Sequence, residues 1–166
     1  NSRVFVDMNK TNVSLYDAIP GSCTIVEGIS PANHLKSIKN ETEIKGFQNA
    51  VVKDGVALTK FYIWLEKQMA EGAQVTEISA AEKLTALRAE QPQYIMDSFG
   101  TICGYAEHGA IVHYSATPET DATLKPEGLL LIDSGAQYLD GTTDITRTIA
   151  LGEPTEQMKK DFTRVL

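Results

Sequence analysis

Residues 129–148 constrain this chain more than any other segment, because they predict two neighbouring strands that each carry one carboxylate. The apolar run 129–132 predicts a strand that ends at Asp133, and Asp144 follows eleven residues later in a second strand rich in Thr and Ile. A carboxylate at the end of so apolar a run is expected to be partly buried, and a buried charge needs a cation or strong hydrogen-bond donors. The two carboxylates therefore predict a divalent-cation site, whose oxygen ligands suit manganese, cobalt or magnesium.

The pairing register decides whether these carboxylates meet, because successive side chains along a strand point to opposite faces. Asp140-Gly141 offers one turn position, whereas a direct pairing of Asp133 with Asp144 needs another. A β-bulge would reconcile the two. A structural interpretation also stays open, in which Asp133 accepts backbone N–H bonds at a turn and Asp144 pairs with Arg147.

His113 is the second candidate for chemistry. It lies in the apolar segment 110–114, which predicts another strand. In a functional role it would be a neutral imidazole beside a scissile bond, donating to a developing oxyanion or holding the substrate. In a structural role it would be a satisfied histidine in or beside the core. His108 and His113 are five residues apart, so they do not form the i,i+4 pair of a zinc-binding helix.

The remaining pattern predicts an α+β fold with helices packed on an antiparallel sheet. An amphipathic stripe predicts a long helix after Asn40 that ends at Gly72, and Thr76 begins a second helix. Strands are predicted over residues 98–104, 110–114, 129–133 and 143–150, followed by a helix that Thr155 caps. A short strand over residues 3–7, a helical turn or two over 12–19 and a strand over 23–26 precede them.

Composition limits the partners. The 166 residues suit one ordinary domain, with a net charge of −7 and a pI of about 4.9 that disfavour nucleic acid. The sequence lacks an apolar run near the roughly 20 residues that a membrane span needs. Two cysteines, Cys23 and Cys103, suit a reducing cytoplasm. The sequence also lacks a phosphate-binding loop, a dinucleotide fingerprint and a serine elbow, so we expect no cofactor beyond metal.

Around Asp133, Asp144 and His113, the chain resembles the aminopeptidase P (Xaa-Pro aminopeptidase) branch of the pita-bread metallopeptidases. The resemblance runs from about residue 30 to residue 166. Its strongest parts are residues 38–43, 76–84, 98–99, 109–114 and 131–148. One departure is visible, because His108 stands where the family usually has Asn.

The resemblance implies that residues 30–166 are the N-terminal half of a catalytic domain, the first half of a pita-bread fold. Residues 1–29 resemble the tail of a preceding non-catalytic domain and its linker. Asp133 is implied to chelate one metal and Asp144 to bridge both, while His113 contacts the substrate near the scissile bond. The other implied ligands, a His and two Glu, lie outside this sequence.

The implied activity is that of a cytoplasmic, dinuclear metal aminopeptidase. It would release the N-terminal residue from peptides with proline at the second position, using two divalent ions, manganese first and cobalt or zinc as alternatives. We expect the 166-residue fragment itself to be inactive and to self-associate, and the parent protein to form a homodimer. Three alternatives stay open: a prolidase-type Xaa-Pro dipeptidase, a methionine aminopeptidase-like enzyme, and a non-catalytic pita-bread binding protein.

Overall fold

The computed structural model describes residues 2–166, which divide into two compact units between Thr42 and Glu43. The first unit contains two strands and two short helices: β1 (Arg3–Val6), α1 (Val13–Asp17), β2 (Thr24–Glu27) and α2 (Pro31–Ser37). The strands pair in parallel, and α1 lies in the connection between them. The predicted strands and helical turn are present, whereas α2 is a helix where the sequence predicts the end of a linker.

Two helices open the second unit, α3 (Glu41–Glu71), which begins just before the boundary, and α4 (Glu77–Ala89). The predicted end at Gly72 is confirmed, because this residue has a φ of +68° in the left-handed region. Thr76 caps α4 as predicted. Its hydroxyl accepts the Ser79 N–H at 3.2 Å, and the Ser79 hydroxyl accepts the Thr76 N–H at 2.8 Å.

Six strands form two antiparallel three-stranded sheets, ordered β3-β6-β7 and β4-β5-β8. The strands are β3 (Tyr94–Asp97), β4 (Ile102–Tyr105), β5 (Leu129–Ser134), β6 (Ala136–Tyr138), β7 (Gly141–Thr142) and β8 (Ile145–Ala150). The α+β prediction is confirmed. The predicted strand over residues 98–104 is only partly right, because residues 98–99 form a bend, residues 100–101 have no regular structure, and β4 begins at Ile102.

The strand predicted over residues 110–114 is wrong. This part of the chain is a 3₁₀ helix (Ala106–Ala110) followed by a turn. The backbone folds back onto β4 so closely that a methyl group on Gly104 would lie 2.9 Å from the Gly109 nitrogen. Ala106 and His113 both have left-handed φ angles, of 51° and 58°, which an extended strand excludes.

The core of the second unit lies between the two helices and the β4-β5-β8 sheet. Its main members are Ala57, Leu58, Phe61, Leu65, Ala80, Leu84, Leu87, Cys103, Leu130 and Ile132. A last helix, α5 (Glu156–Val165), is capped by Thr155 as predicted, but none of its 10 residues is buried. Met158 and Phe162 instead line an apolar cleft of about 610 Å³ beside Leu131. Within residues 2–166, each helix is too short or too polar to cross a bilayer.

Candidate metal centre

One register runs through the whole hairpin that carries the two candidate carboxylates. Asp133 pairs with Thr146 in β5 and β8, and Tyr138 pairs with Gly141 in β6 and β7, so both ladders follow the same offset. The hairpin ends in a two-residue turn at residues 139–140. A bulge between the two aspartates is therefore not needed to bring their strands together.

This register places Asp133 and Thr146 on the same face of the hairpin, with Asp144 two residues before Thr146. Leu130, Ile132 and Ser134 are buried towards the helices, whereas Asp133 lies on the opposite face and is only half-buried. Paired residues of an antiparallel ladder share a face, so Thr146 lies beside Asp133. Asp144 is exposed and lies directly before β8, two residues from Thr146.

The carboxylates of Asp133 and Asp144 differ in their hydrogen bonds. The Thr146 hydroxyl donates to Asp133 Oδ1 at 2.7 Å, whereas within residues 2–166 the Asp144 carboxylate has no hydrogen-bond or ion-pair partner. The Arg147 guanidinium donates to the Thr146 carbonyl at 2.7 Å instead of pairing with Asp144. The structural interpretation of the pair, an Asp144–Arg147 ion pair with Asp133 on turn amides, is not what the structure has.

His113 lies in the turn after the 3₁₀ helix, with its side chain exposed and its φ at 58°. Among the described residues it has no hydrogen bond to either aspartate. Tyr114, the next residue, is 7% exposed, so the side chain that enters the core here belongs to the tyrosine and not to the histidine. The imidazole is therefore free to contact a ligand.

The family model of metallopeptidase family M24 matches residues 45–166, which is most of the chain. This chain belongs to family M24. The predicted membership of the pita-bread metallopeptidases is thereby confirmed.

Three similar proteins refine the comparison. An Xaa-Pro aminopeptidase of Drosophila melanogaster is 47% identical over 148 residues, covering 89% of this chain and 24% of that protein. An X-prolyl aminopeptidase of Caenorhabditis elegans, described as a cytosolic enzyme with a di-nuclear active site, is 36% identical with a TM-score of 0.77, covering 81% of this chain and 22% of its own. An Xaa-Pro dipeptidase of Bacillus anthracis has a TM-score of 0.80 at 22% identity, covering 98% of this chain and 43% of its own, and shows the fold alone. The chain spans about a quarter of the length of the curated relatives it matches.

The donor set of this M24 chain suits a hard divalent cation but does not complete a site. Asp133 and Asp144 offer carboxylate oxygens that solvent can reach, and the unpartnered Asp144 carboxylate would lose no hydrogen bond on binding a cation. Within residues 2–166, no group of three or more His, Cys, Asp or Glu side chains is close enough together to hold a metal ion. Two carboxylates alone predict weak binding.

Gly135 allows the hairpin to close between the two aspartates. The Ser98 N–H donates to the Gly135 carbonyl at 3.0 Å, and the Ser98 hydroxyl donates to the Thr143 carbonyl at 2.9 Å. A methyl group on Gly135 would overlap both the Thr143 carbonyl oxygen and the Ser98 hydroxyl. Ser98 thus ties the chain before β4 to the hairpin at the level of Asp144.

A buried ion pair that the sequence analysis missed supports β5 from the helix side. Arg88 donates to both Asp54 oxygens at 2.7 and 2.9 Å and to the Ser134 hydroxyl at 3.1 Å, and all three side chains are fully buried. The Tyr138 hydroxyl also donates to Asp54, and burial raises the pKa of that hydroxyl. A sequence signal existed, because Asp54 interrupts the apolar stripe of α3 between Val51 and Leu58.

Proposed function

We propose that the protein containing this chain is a dinuclear metal aminopeptidase that releases the N-terminal residue from peptides with proline at the second position. The observation that carries this proposal is the hairpin register that pairs Asp133 with Thr146, two residues after the exposed Asp144, in an M24 chain 47% identical to a protein named as an Xaa-Pro aminopeptidase. In this proposal residues 30–166 form the N-terminal half of the catalytic domain, and residues 1–29 end the preceding domain.

Each candidate residue has a separate task. Asp133, oriented by the Thr146 hydroxyl, would hold one cation, and Asp144 would be a ligand to both. When bound, the cations would supply Lewis-acid polarisation of the scissile carbonyl and a water acidic enough to ionise near neutral pH. His113 presents an exposed imidazole that donates an N–H bond to the substrate carbonyl as negative charge develops on its oxygen.

Manganese is the proposed metal, because the two ligands of this chain are carboxylate oxygens without a thiolate or imidazole beside them. Cobalt and zinc are the alternatives. The proposed location is cytoplasmic, which the description of the Caenorhabditis elegans relative as a cytosolic enzyme supports. The proposed partner is a peptide substrate with an Xaa-Pro N-terminus.

The test uses a protein that contains the whole catalytic domain, stripped with a chelator and reloaded with manganese, cobalt or zinc. We expect metal-dependent release of the first residue from an Xaa-Pro-Xaa tripeptide, with manganese the most effective ion. Asp144→Asn should abolish this release, whereas Asp17→Asn, at an exposed aspartate of the first unit, should leave it unchanged.

The other outcomes decide between the alternatives. Cleavage of Xaa-Pro dipeptides but not of tripeptides assigns a prolidase-type activity. Release of methionine from peptides without proline assigns a methionine aminopeptidase-like activity. Metal binding without hydrolysis of any of these substrates leaves a non-catalytic binding protein.

A further inference from the structure

Glu77, the first residue of α4, is completely buried and is the acceptor for four donors. The donors are the Tyr105 N–H at 2.7 Å, His108 Nδ1 at 2.9 Å, the Tyr114 hydroxyl at 2.9 Å and the Ala122 N–H at 3.1 Å. These four hydrogen bonds replace the hydrogen bonds to water that the carboxylate loses on burial. Glu77 therefore ties the end of β4, the 3₁₀ helix, the following turn and the chain before β5 to one point.

The segment that Glu77 holds is strained at both ends. Ala106, where the segment leaves β4, has a φ of 51°, and His113, where it ends, has a φ of 58°. Left-handed conformations at residues other than glycine persist only where the surrounding structure imposes them. Of the two side-chain donors to Glu77, His108 lies inside this segment and Tyr114 directly follows it.

The two side-chain donors also hold each other. The rings of His108 and Tyr114 stack with centroids 4.5 Å apart and planes inclined by 28°. His108 donates through Nδ1, because the Glu77 oxygen it meets is an acceptor for a main-chain N–H as well. Burial raises the pKa of the Tyr114 hydroxyl, with the Glu77 carboxylate adding to the rise, so the hydroxyl stays a donor at neutral pH.

We propose that Glu77, His108 and Tyr114 form a positioning unit that sets the backbone at His113 and so aims its imidazole at the substrate. This inference rests on the proposed function, because His113 has a substrate to contact only if the protein is a peptidase. Tyr114 links the two directly, because its hydroxyl donates a hydrogen bond to Glu77 and it directly follows His113 in the chain. The unit acts through His113 and does not itself touch the substrate.

The test is Tyr114→Phe in a protein that contains the whole catalytic domain. This change removes the hydrogen bond from the hydroxyl to Glu77 and its weaker contact with the Thr120 hydroxyl at 3.3 Å, and it leaves an aromatic ring to stack on His108. Tyr138→Phe is the matched control. It removes a 3.1 Å hydrogen bond from a tyrosine hydroxyl to another buried carboxylate, Asp54, and both residues lie outside residues 106–114. The readouts are amide hydrogen exchange over residues 106–114, the bound metal content, and kcat and KM on an Xaa-Pro-Xaa tripeptide.

We expect Tyr114→Phe to speed exchange over residues 106–114 roughly tenfold, which is the size of one lost hydrogen bond. The kcat should fall by on the order of 10- to 100-fold with KM and metal content unchanged, as expected for a displaced transition-state contact. Tyr138→Phe should lower the melting temperature to a similar extent without changing exchange in this segment or kcat.

A donor series at His108 gives a second comparison. His108→Asn keeps a side-chain N–H that can reach towards Glu77, whereas His108→Ala removes the donor and the stacking ring together. We expect His108→Asn to retain most of the kcat and His108→Ala to lose it as Tyr114→Phe does. A purely structural role predicts that loss of kcat follows the melting temperature in all four variants.

The outcomes separate this inference from the proposed function. A normal kcat in Tyr114→Phe overturns the positioning role, whether or not the segment exchanges faster. An equal loss of kcat in Tyr114→Phe and Tyr138→Phe also overturns it. An unmodified protein that binds metal but releases no residue from Xaa-Pro peptides overturns the proposed function, and the positioning role with it.

Discussion

Thr146 lies directly opposite Asp133, and its hydroxyl donates a 2.7 Å hydrogen bond to Asp133 Oδ1. A hydrogen bond to one carboxylate oxygen restricts rotation of the carboxylate. It thereby also fixes the direction in which the other oxygen points. The hydroxyl-rich character of β8 thus has a specific use at this position, because it orients one of the two candidate ligands.

Thr146→Val should weaken manganese binding roughly tenfold, because it keeps the shape of the side chain but removes the donor to Asp133. Isothermal titration of the chelator-treated protein measures the change. Thr148→Val is the control, since Thr148 follows two positions later on the same face and pairs with Leu131. Equal affinities in both variants would show that Thr146 does not orient the carboxylate.

Gly135→Ala should disrupt the hairpin between the two aspartates. The added methyl group meets the Thr143 carbonyl oxygen and the Ser98 hydroxyl, and a backbone atom can move away only by opening the hairpin. We expect both a lower melting temperature and a loss of metal binding. Gly100→Ala, where an added methyl group meets nothing within 4 Å, should change neither property. Full metal binding by Gly135→Ala would contradict this account.

Asp54→Ala should lower the free energy of unfolding by about 3–5 kcal/mol, because it leaves the fully buried Arg88 guanidinium without its carboxylate. Urea denaturation monitored by circular dichroism measures this. Lys60→Ala breaks the Lys60–Glu90 pair, whose side chains are 48% and 54% exposed, and should change stability little. Similar effects of the two substitutions would mean that burial does not strengthen the Arg88–Asp54 pair.

Cys103 should make the protein less stable in alkali. Burial raises the pKa of its thiol from 9.0 to about 12. Between these values the unfolded chain has lost the proton and the folded chain retains it, so stability falls as pH rises. The thiol's contribution is fully present below pH 9.0 and is lost as the pH rises to about 12.

Cys103→Ala should therefore flatten the decline in the free energy of unfolding that urea titrations measure from pH 9.0 upwards. Tyr94→Phe gives a comparison in a different window, because burial raises the pKa of Tyr94 from 10.0 to about 12. Its effect should begin only above pH 10.0. An unchanged slope in Cys103→Ala near pH 9.5, roughly midway between the two onsets, would refute the assignment.

Local sequence was sufficient for the elements whose boundaries depend on neighbouring residues. Gly72 and Thr76 bound the helices because a left-handed glycine and a capping hydroxyl act within one turn. The apolar run before Asp133 predicted β5, since a strand buried on the helix side needs such residues. Local sequence failed at residues 110–114, where the chain turns after a 3₁₀ helix whose Gly109 packs on the backbone of Gly104.

The sequence by itself determined which side chains are available, two aspartates near strand ends and His113, and the family to which the chain belongs. Only the tertiary structure decided that Asp133 pairs with Thr146 and that His113 is exposed, because register is set by the pairing of whole strands. It alone also brought Arg88 to Asp54 and four donors to Glu77. Those contacts join residues distant in the chain, and a buried charge finds its partner only once the helices have packed on the sheet.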